Sequence, residues 1–444
     1  MEAKDGGEKV VRYSTLPREC WNDEIVYTEL NGRAWVFQER MLAPRVLHFG
    51  RHQLLWECGE LDAAETFPQG FPNVFRGQNM FGFKQYYSLL ESSQPAEHSV
   101  RAEYAYFSWP RIVDSYSKNR LTVPSDRLPA LSGIAKRMSA YIGDQYVVGM
   151  WRRHLARDLL WHMLTLVDSS SETLIILSGR RPEQYYAPSF SWASITGGKV
   201  IYARCNLEGA LLKVEDIALQ YPTEDITGPV DGGYIVVTGR LSTLRLRRCS
   251  TDRTADVEAY GIATALIDGI GANYPPGMGD WGNPRDIGGV HLDALEQDWE
   301  RIDNHEGLFC IAAHEEHSSS NEDYLGDKDH TDYEENLNDE GSSEDEQNLG
   351  DEGHTNDEDQ TDDEDHTDDE YHTDDEDHTE FEHDHVLYLI LEVVPEAESP
   401  GTFRRLGILG TLPNRNPPNT SQDKAALPCV RYDKESGLHT IRII

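Results

Sequence analysis

The sequence predicts an α+β protein: a helical stretch, then a mainly antiparallel β half that carries a disordered acidic insertion. Three observations predict it. Between Phe83 and Met163, apolar residues recur at helical spacing; Trp109, Ile112, Val113 and Tyr116 sit at i, i+3, i+4 and i+7, on one face. From Ala187 onward the pattern becomes short alternating apolar segments broken by glycines, as strands and hairpins require. From Asn321 to His385 the chain holds 31 acidic residues and one lysine, in repeats of the unit HTDDED/E with no apolar residue to bury.

The elements follow in chain order. Glu24–Leu30 fits either a strand or one short helix. Trp35–Arg40 reads as a short helix that ends near Pro44, because the residue before a proline avoids the helical region. Two apolar runs, Val46–Phe49 and Leu54–Trp56, flank Gly50, Arg51 and His52 and form a hairpin signal. Arg33, Glu39, Arg40 and Arg45 are expected to form a charge network, with Trp35 and Trp56 as core anchors. Glu60–Phe83 is rich in Gly, Pro and Asn and reads as loop.

Helices are expected over Phe83–Ser92, around Trp109–Tyr116, from a Ser125 cap to Gly143, and from Tyr146 to Met163. A hairpin is expected around Gly197 and Gly198. Strands follow at Leu211–Leu219 and Gly233–Arg247, the latter bent at Gly239. Leu308–Ala313, Val386–Val394 and Phe403–Leu409 are the remaining strand candidates. The acidic tract lies between the first two of these, in a strand-to-strand connection. Closing a longer loop costs only logarithmically more, so that position tolerates an insertion.

Charge excludes some functions. The whole chain carries −39. The acidic tract accounts for −30 of this, so the other residues carry only −9 and show no basic stripe. Nucleic-acid binding is not expected. Six cysteines stand far apart and form no C-x-x-C pair. The charged N-terminus has no apolar signal region, and no run is long enough to span a membrane. A cytoplasmic protein with reduced thiols is the expectation.

Chemical motifs are scarce. The sequence has no G-x-S-x-G, P-loop, H-E-x-x-H or Rossmann fingerprint, and no cofactor is expected. Gly279–Pro284 and Asp286–His291 read as glycine-rich loops. His154, Asp158 and His162 fall on one helical face, where packing explains them as well as chemistry does. The acidic repeat has oxygens in quantity but no glycine turn or framing helices. It can bind cations weakly without forming a metal site.

One stretch, Arg33–Cys58 (RAWVFQERMLAPRVLHFGRHQLLWEC), resembles the closing block of the fungal heterokaryon-incompatibility (HET) domain. Its family-motif residues are Arg33, Trp35, Gln38, Glu39, Arg40, Trp56 and Glu57. Further blocks follow in the family's order: WPRIVDSYS from Trp109, DRLPALSGIA from Asp126, then Gly149-Met150-Trp151 and Leu159-Leu160-Trp161. APSFSWAS from Ala187 contains Trp192 and has Phe190 where the family carries tryptophan. FRRLGIL resembles the family's closing strand. Two earlier family blocks, Ser-Tyr-x-Trp-Gly-like and Cys-Ile-Asn-Gln-like, do not occur.

The resemblance implies an N-terminally truncated member, its first part a remnant of an α/β domain. The implied division is a domain remnant over 1–58, a helical region over 59–185 and a β-rich region over 186–320. The acidic insertion takes 321–385, completing strands 386–412, and a tail 413–444. The implied function is non-self recognition and programmed cell death in filamentous fungi, through protein partners and without catalysis. Two alternatives stand beside it. The signature domain is similar to Toll/interleukin-receptor domains, some of which cleave NAD. The chain can also be a degenerate or incomplete fragment. Glu39 has two readings, as packing or as part of an active or ligand site. A carboxylate among arginines is a poor general acid, which favours the first.

Overall fold

The structure is a computed structural model. It describes residues 2–4, 10–12, 20–72, 84, 98–164, 166–168, 175–177, 179–203, 205, 209–248, 263–267, 270–273, 289–302, 307–316, 385–395, 397, 399–410 and 424–444. The chain divides into two compact units, Met1–His317 with Asp384–Ile444, and Ser318–His383. The second lies outside the described residues, as do most of the expected Phe83–Ser92 helix, the Gly279–Pro284 loop and the acidic repeat expected to bind cations weakly.

The first unit is α+β. Helix α1 spans Ala34–Leu42 and stops at Ala43, whose extended backbone precedes Pro44. The hairpin follows as expected. Arg45–Phe49 pairs antiparallel with Leu54–Cys58, and Asp62–Ala64 adds a third strand. Gly50 closes the turn for a steric reason: a Cβ there would lie 2.5 Å from Glu24 Oε2 and 2.7 Å from the Gln53 carbonyl. Of the ambiguous Glu24–Leu30 stretch, Glu24–Val26 belong to one π-helical turn, Asn22–Val26, and the rest is turn.

Helix α2 spans His98–Ser117 and buries Trp109, Ile112, Val113 and Tyr116, the face its periodicity predicts. Helix α3 spans Pro129–Ile142 and ends at Gly143, whose φ of 64° makes a left-handed cap. Its start differs from expectation. Ser125 lies in a 3₁₀ turn, Pro124–Arg127, and proline occupies the first turn of α3.

The expected Tyr146–Met163 helix does not form. Tyr146–Val147 and Met150–Trp151 make a tight hairpin, a short helix follows at Leu155–Asp158, and Trp161–Leu164 is a strand. Val148 at φ 45° and Gly149 at φ 92° break the helical path. The Gly197–Gly198 hairpin is also replaced. Lys199–Tyr202 pairs with Trp161–Leu164, and Trp192–Ser194 is a 3₁₀ turn capped by Ser191.

Among the described residues the β half is an eleven-stranded, mainly antiparallel sheet. Its order runs Lys213–Gln220, Gly232–Gly239, His439–Ile443, Thr402–Gly410, His385–Val393, Leu308–Glu316, Leu241–Arg248, Ala263–Ile267 and Ile270–Asn273. Gly289–Leu292 and Arg431–Tyr432 attach to it. The segment expected as a tail therefore supplies an interior strand. Residues 289–291, expected in a loop, belong to another strand.

Two cores sandwich this sheet. Phe309, Ile311, Ala313, Leu387, Leu389 and Leu391 face the large core, shared with α1, α2 and α3. Cys310, Ala312, Tyr388 and Ile390 face a smaller one. Both strands are buried on both faces, which is why their sequences read as continuous apolar runs.

Candidate functional site

The most concentrated chemistry lies where α1 meets the three-stranded sheet. Strand alternation turns His48 and Glu57 inward, and the helical repeat turns Arg40 toward them. Arg40 grips Glu57 with two bonds, Nε to Oε2 at 2.8 Å and Nη2 to Oε1 at 3.0 Å. His48 Nε2 reaches Glu57 Oε2 at 3.1 Å. Lys84 donates to the carbonyls of Arg40 and Ala43, at the C-terminal end of α1, where cations are favoured.

Glu57 is fully buried. Burial pushes its pKa up, but the Arg40 charge and the bonds from His48 and Arg40 outweigh that and hold it at about 2. Both oxygens are engaged, and near neutral pH the carboxyl has no proton to give. This geometry fixes a hairpin to a helix; it does not suit general acid catalysis.

A second carboxylate locks the hairpin turn. Glu24 accepts from the backbone N–H groups of Arg51 and His52 and contacts His52 Nδ1. Trp21, fully buried, sets its ring edge-on to His48 and Phe71. Sequence reading missed both residues. Their signal was the juxtaposition of a tryptophan and a carboxylate ahead of a hairpin whose glycine has no room for a side chain.

The expected network of Arg33, Glu39, Arg40 and Arg45 is corrected: Arg40 pairs with Glu57, and Arg33, Glu39 and Arg45 are exposed. Arg33 serves through its backbone, which bridges to Arg120. Trp35 and Trp56 are not core anchors. Trp35 is 40% exposed and donates its Nε1 to Asp126 at 3.0 Å. Trp56 is half-buried, on the outer face of the sheet. Gln38 Oε1 accepts from the Gly133 N–H at 2.6 Å and so clamps α1 to α3.

Trp192 is fully buried. Its Nε1 donates to the Gly149 carbonyl at 3.0 Å, and the Arg127 guanidinium lies 5.4 Å from its ring. Trp161 Nε1 donates to the Phe190 carbonyl at 2.8 Å. Arg405 stacks on Trp161 at 3.7 Å and pairs with Asp293, which with Asp298 also holds Arg181.

His154, Asp158 and His162 do not share a helix face. His154 caps the start of the short helix and Asp158 is its last residue, while His162 sits on a strand with its ring 5.0 Å from His291. Burial keeps both rings neutral, at about 3 for His162 and about 4 for His291.

Among the described residues, no group of three or more His, Cys, Asp and Glu is placed to hold a metal ion. No helix among them is long and apolar enough to cross a membrane. Cys20, Cys58 and Cys429 form no disulfide. The chain matches no known family model, no curated protein and no solved structure.

Proposed function

We propose that the chain is a heterokaryon-incompatibility-type protein, acting in fungal non-self recognition and programmed cell death through protein contacts and without catalysis of its own. One observation carries the reading. The blocks that resemble the family, scattered from Arg33 to Leu409, are bonded into one body by their own signature side chains. Gln38 holds Gly133, Trp35 holds Asp126, Trp109 and Trp192 share Gly149, and Arg405 covers Trp161. Residues that recur as a set for packing reasons should meet in this way. The buried, doubly held Glu57 fits a scaffold role. A cytoplasmic location suits its reduced thiols.

The test is inducible expression of the full chain in a filamentous fungus, with vital-dye staining and cellular NAD measured together. Cell death at constant NAD supports the proposal. Death with NAD loss replaces it with an NAD-cleaving, Toll/interleukin-receptor-like effector. Unimpaired growth at confirmed protein levels favours a fragment without autonomous activity.

A further inference from the structure

Arg442 stands on the His439–Ile443 strand, which runs between the Gly232–Gly239 and Thr402–Gly410 strands of the large sheet. Its sequence neighbours Ile441 and Ile443 face the large core, with Ile235 and Phe403. Alternation along the strand turns Arg442 to the opposite face. Val236 lies directly across from it on one side and Thr402 on the other. Tyr234, two residues before Val236, shares that face, and the Arg442 guanidinium lies 4.0 Å from the centre of its ring. The stack borders a cleft of about 300 Å³, at the small end of the range for ligand sites. Val394, Ala397 and Ser399, from the loop that leads into the Thr402–Gly410 strand, also line it.

The positive charge in this cleft is unanswered. Arg442 is partly buried, and no carboxylate among the described residues pairs with it. Its Nε is buried without an acceptor, while its terminal nitrogens lack partners and stay accessible. The hydroxyls of Tyr234 and Ser399 bond no other group. The remaining polar groups nearby are already engaged. Thr402 donates its hydroxyl to the Ser399 carbonyl at 2.8 Å. The Ile444 carbonyl oxygen accepts from the Ser189 N–H and hydroxyl. Glu392, two residues before Val394, is paired with Arg301 and Arg404.

Taking a guanidinium partly out of water is costly unless an anion answers it. The stack on Tyr234 also orders the side chain in advance, so a ligand that binds there freezes little. A fork of N–H donors beside two unengaged hydroxyls suits a group whose oxygens accept several bonds at once. Val394 and Ala397 leave an apolar wall for a short aliphatic remainder. We propose that this cleft binds the oxyanion group of a small molecule, a carboxylate or a phosphate. Arg442 supplies the counter-charge, and Tyr234 and Ser399 supply further hydrogen bonds.

Isothermal titration calorimetry of the full chain at fixed ionic strength tests this, with inorganic phosphate and isobutyrate as separate probes. At least one probe should bind saturably at a single site. Arg442→Gln should weaken that binding about tenfold or more, and Ser399→Ala about threefold. Arg431→Gln removes an exposed arginine outside the cleft and should bind as the wild type does. Circular dichroism checks the fold of each variant, and Ser399→Ala, in a surface loop, carries the test if Arg442→Gln does not fold. Binding of phosphate alone assigns a phosphorylated ligand, binding of isobutyrate alone assigns a carboxylate, and binding of both supports the oxyanion site in general. No saturable binding of either probe would overturn the proposal. So would binding that survives Arg442→Gln in a folded protein, or that falls equally in Arg431→Gln, since surface charge alone would then explain it.

Discussion

Trp109 and Trp192 donate their indole N–H groups to the same acceptor, the carbonyl oxygen of Gly149, at 2.8 and 3.0 Å. One comes from α2 and the other from the turn at Trp192–Ser194, so a single backbone oxygen ties two distant segments to the Val148–Gly149 turn. That turn carries Val148 at φ 45° and Gly149 at φ 92°. A β-branched residue at positive φ costs on the order of 1–3 kcal/mol and persists only where its surroundings enforce it. Here the two indoles, and the bond from Ser191 Oγ to the Val148 carbonyl, enforce it.

Gly149→Ala should therefore be severe. Its Cβ would lie 2.6 Å from Trp192 Nε1, at a backbone angle alanine avoids. A loss of about 3 kcal/mol or more is expected in chemical denaturation. A change under about 1 kcal/mol would mean the turn is not held as described.

Gly133→Ala should reverse an ordinary sign. Within a helix, replacing glycine with alanine normally gains about 1 kcal/mol. At Gly133 a Cβ would meet Leu42 Cδ1 at 2.8 Å and Gln38 Oε1 at 2.9 Å. Overpacking that contact should cost roughly 1–3 kcal/mol. Pairing Gly133→Ala with Gln38→Ala, which removes one of the two obstacles, should recover part of the loss in a double-mutant cycle.

Glu57→Ala leaves Arg40 buried without its carboxylate and should cost about 3–5 kcal/mol. Replacing both residues with apolar side chains should cost much less. The pair also sets an acid limit. Glu57 titrates at about 2 when folded, against an ordinary value of 4.5. The folded pKa is depressed, so the contribution, about 3 kcal/mol, is complete above pH 4.5 and is lost as pH falls toward 2. The histidines act earlier. His162 and His291 stay neutral when folded, while the unfolded chain takes up their protons below pH 6.5. Stability should begin to fall there, and His162→Asn should flatten the slope between pH 6.5 and 4.5. An unchanged slope in urea titrations would refute this assignment.

Arg127→Met should raise stability. The Arg127 guanidinium is buried against Trp192, and its Nε and Nη2 find no acceptor among the described residues. Burial pushes its pKa down. An apolar side chain of similar length keeps the packing and removes an uncompensated charge, so a gain of about 1 kcal/mol or more is expected. A lower urea midpoint would show that the cation–π contact outweighs the desolvation.

The fold class and several elements could be read from the sequence because local rules governed them. Trp109, Ile112, Val113 and Tyr116 formed a helix face because nothing opposed their period. Pro44 ended α1, and Gly143 capped α3. The Tyr146–Met163 stretch misled because tryptophan and leucine are buried in either secondary structure. What decided its path was the acceptor for two indoles, and those lie far away in sequence. The site followed the same division. Arg40 was identifiable, but its partners were expected to be Arg33, Glu39 and Arg45, all close to it in sequence. Glu57 became its mate only through the pairing of Val46 with Glu57 and of His48 with Leu55 across the hairpin. The His439–Ile443 strand was missed because five residues offer too short a pattern to separate an interior strand from an end.

Glu316 and His385 pair across adjacent antiparallel strands, so the chain leaves and re-enters the sheet at neighbouring points. Whatever number of repeats stands between them, the register from Leu308 to Glu392 inward is set by the strands alone. Repeat tracts lengthen and shorten by slippage when DNA is copied. Alleles that differ by whole repeats should then share one fold and one denaturation midpoint while differing in charge. Heritable variation in this protein has a place to accumulate that the sheet does not register.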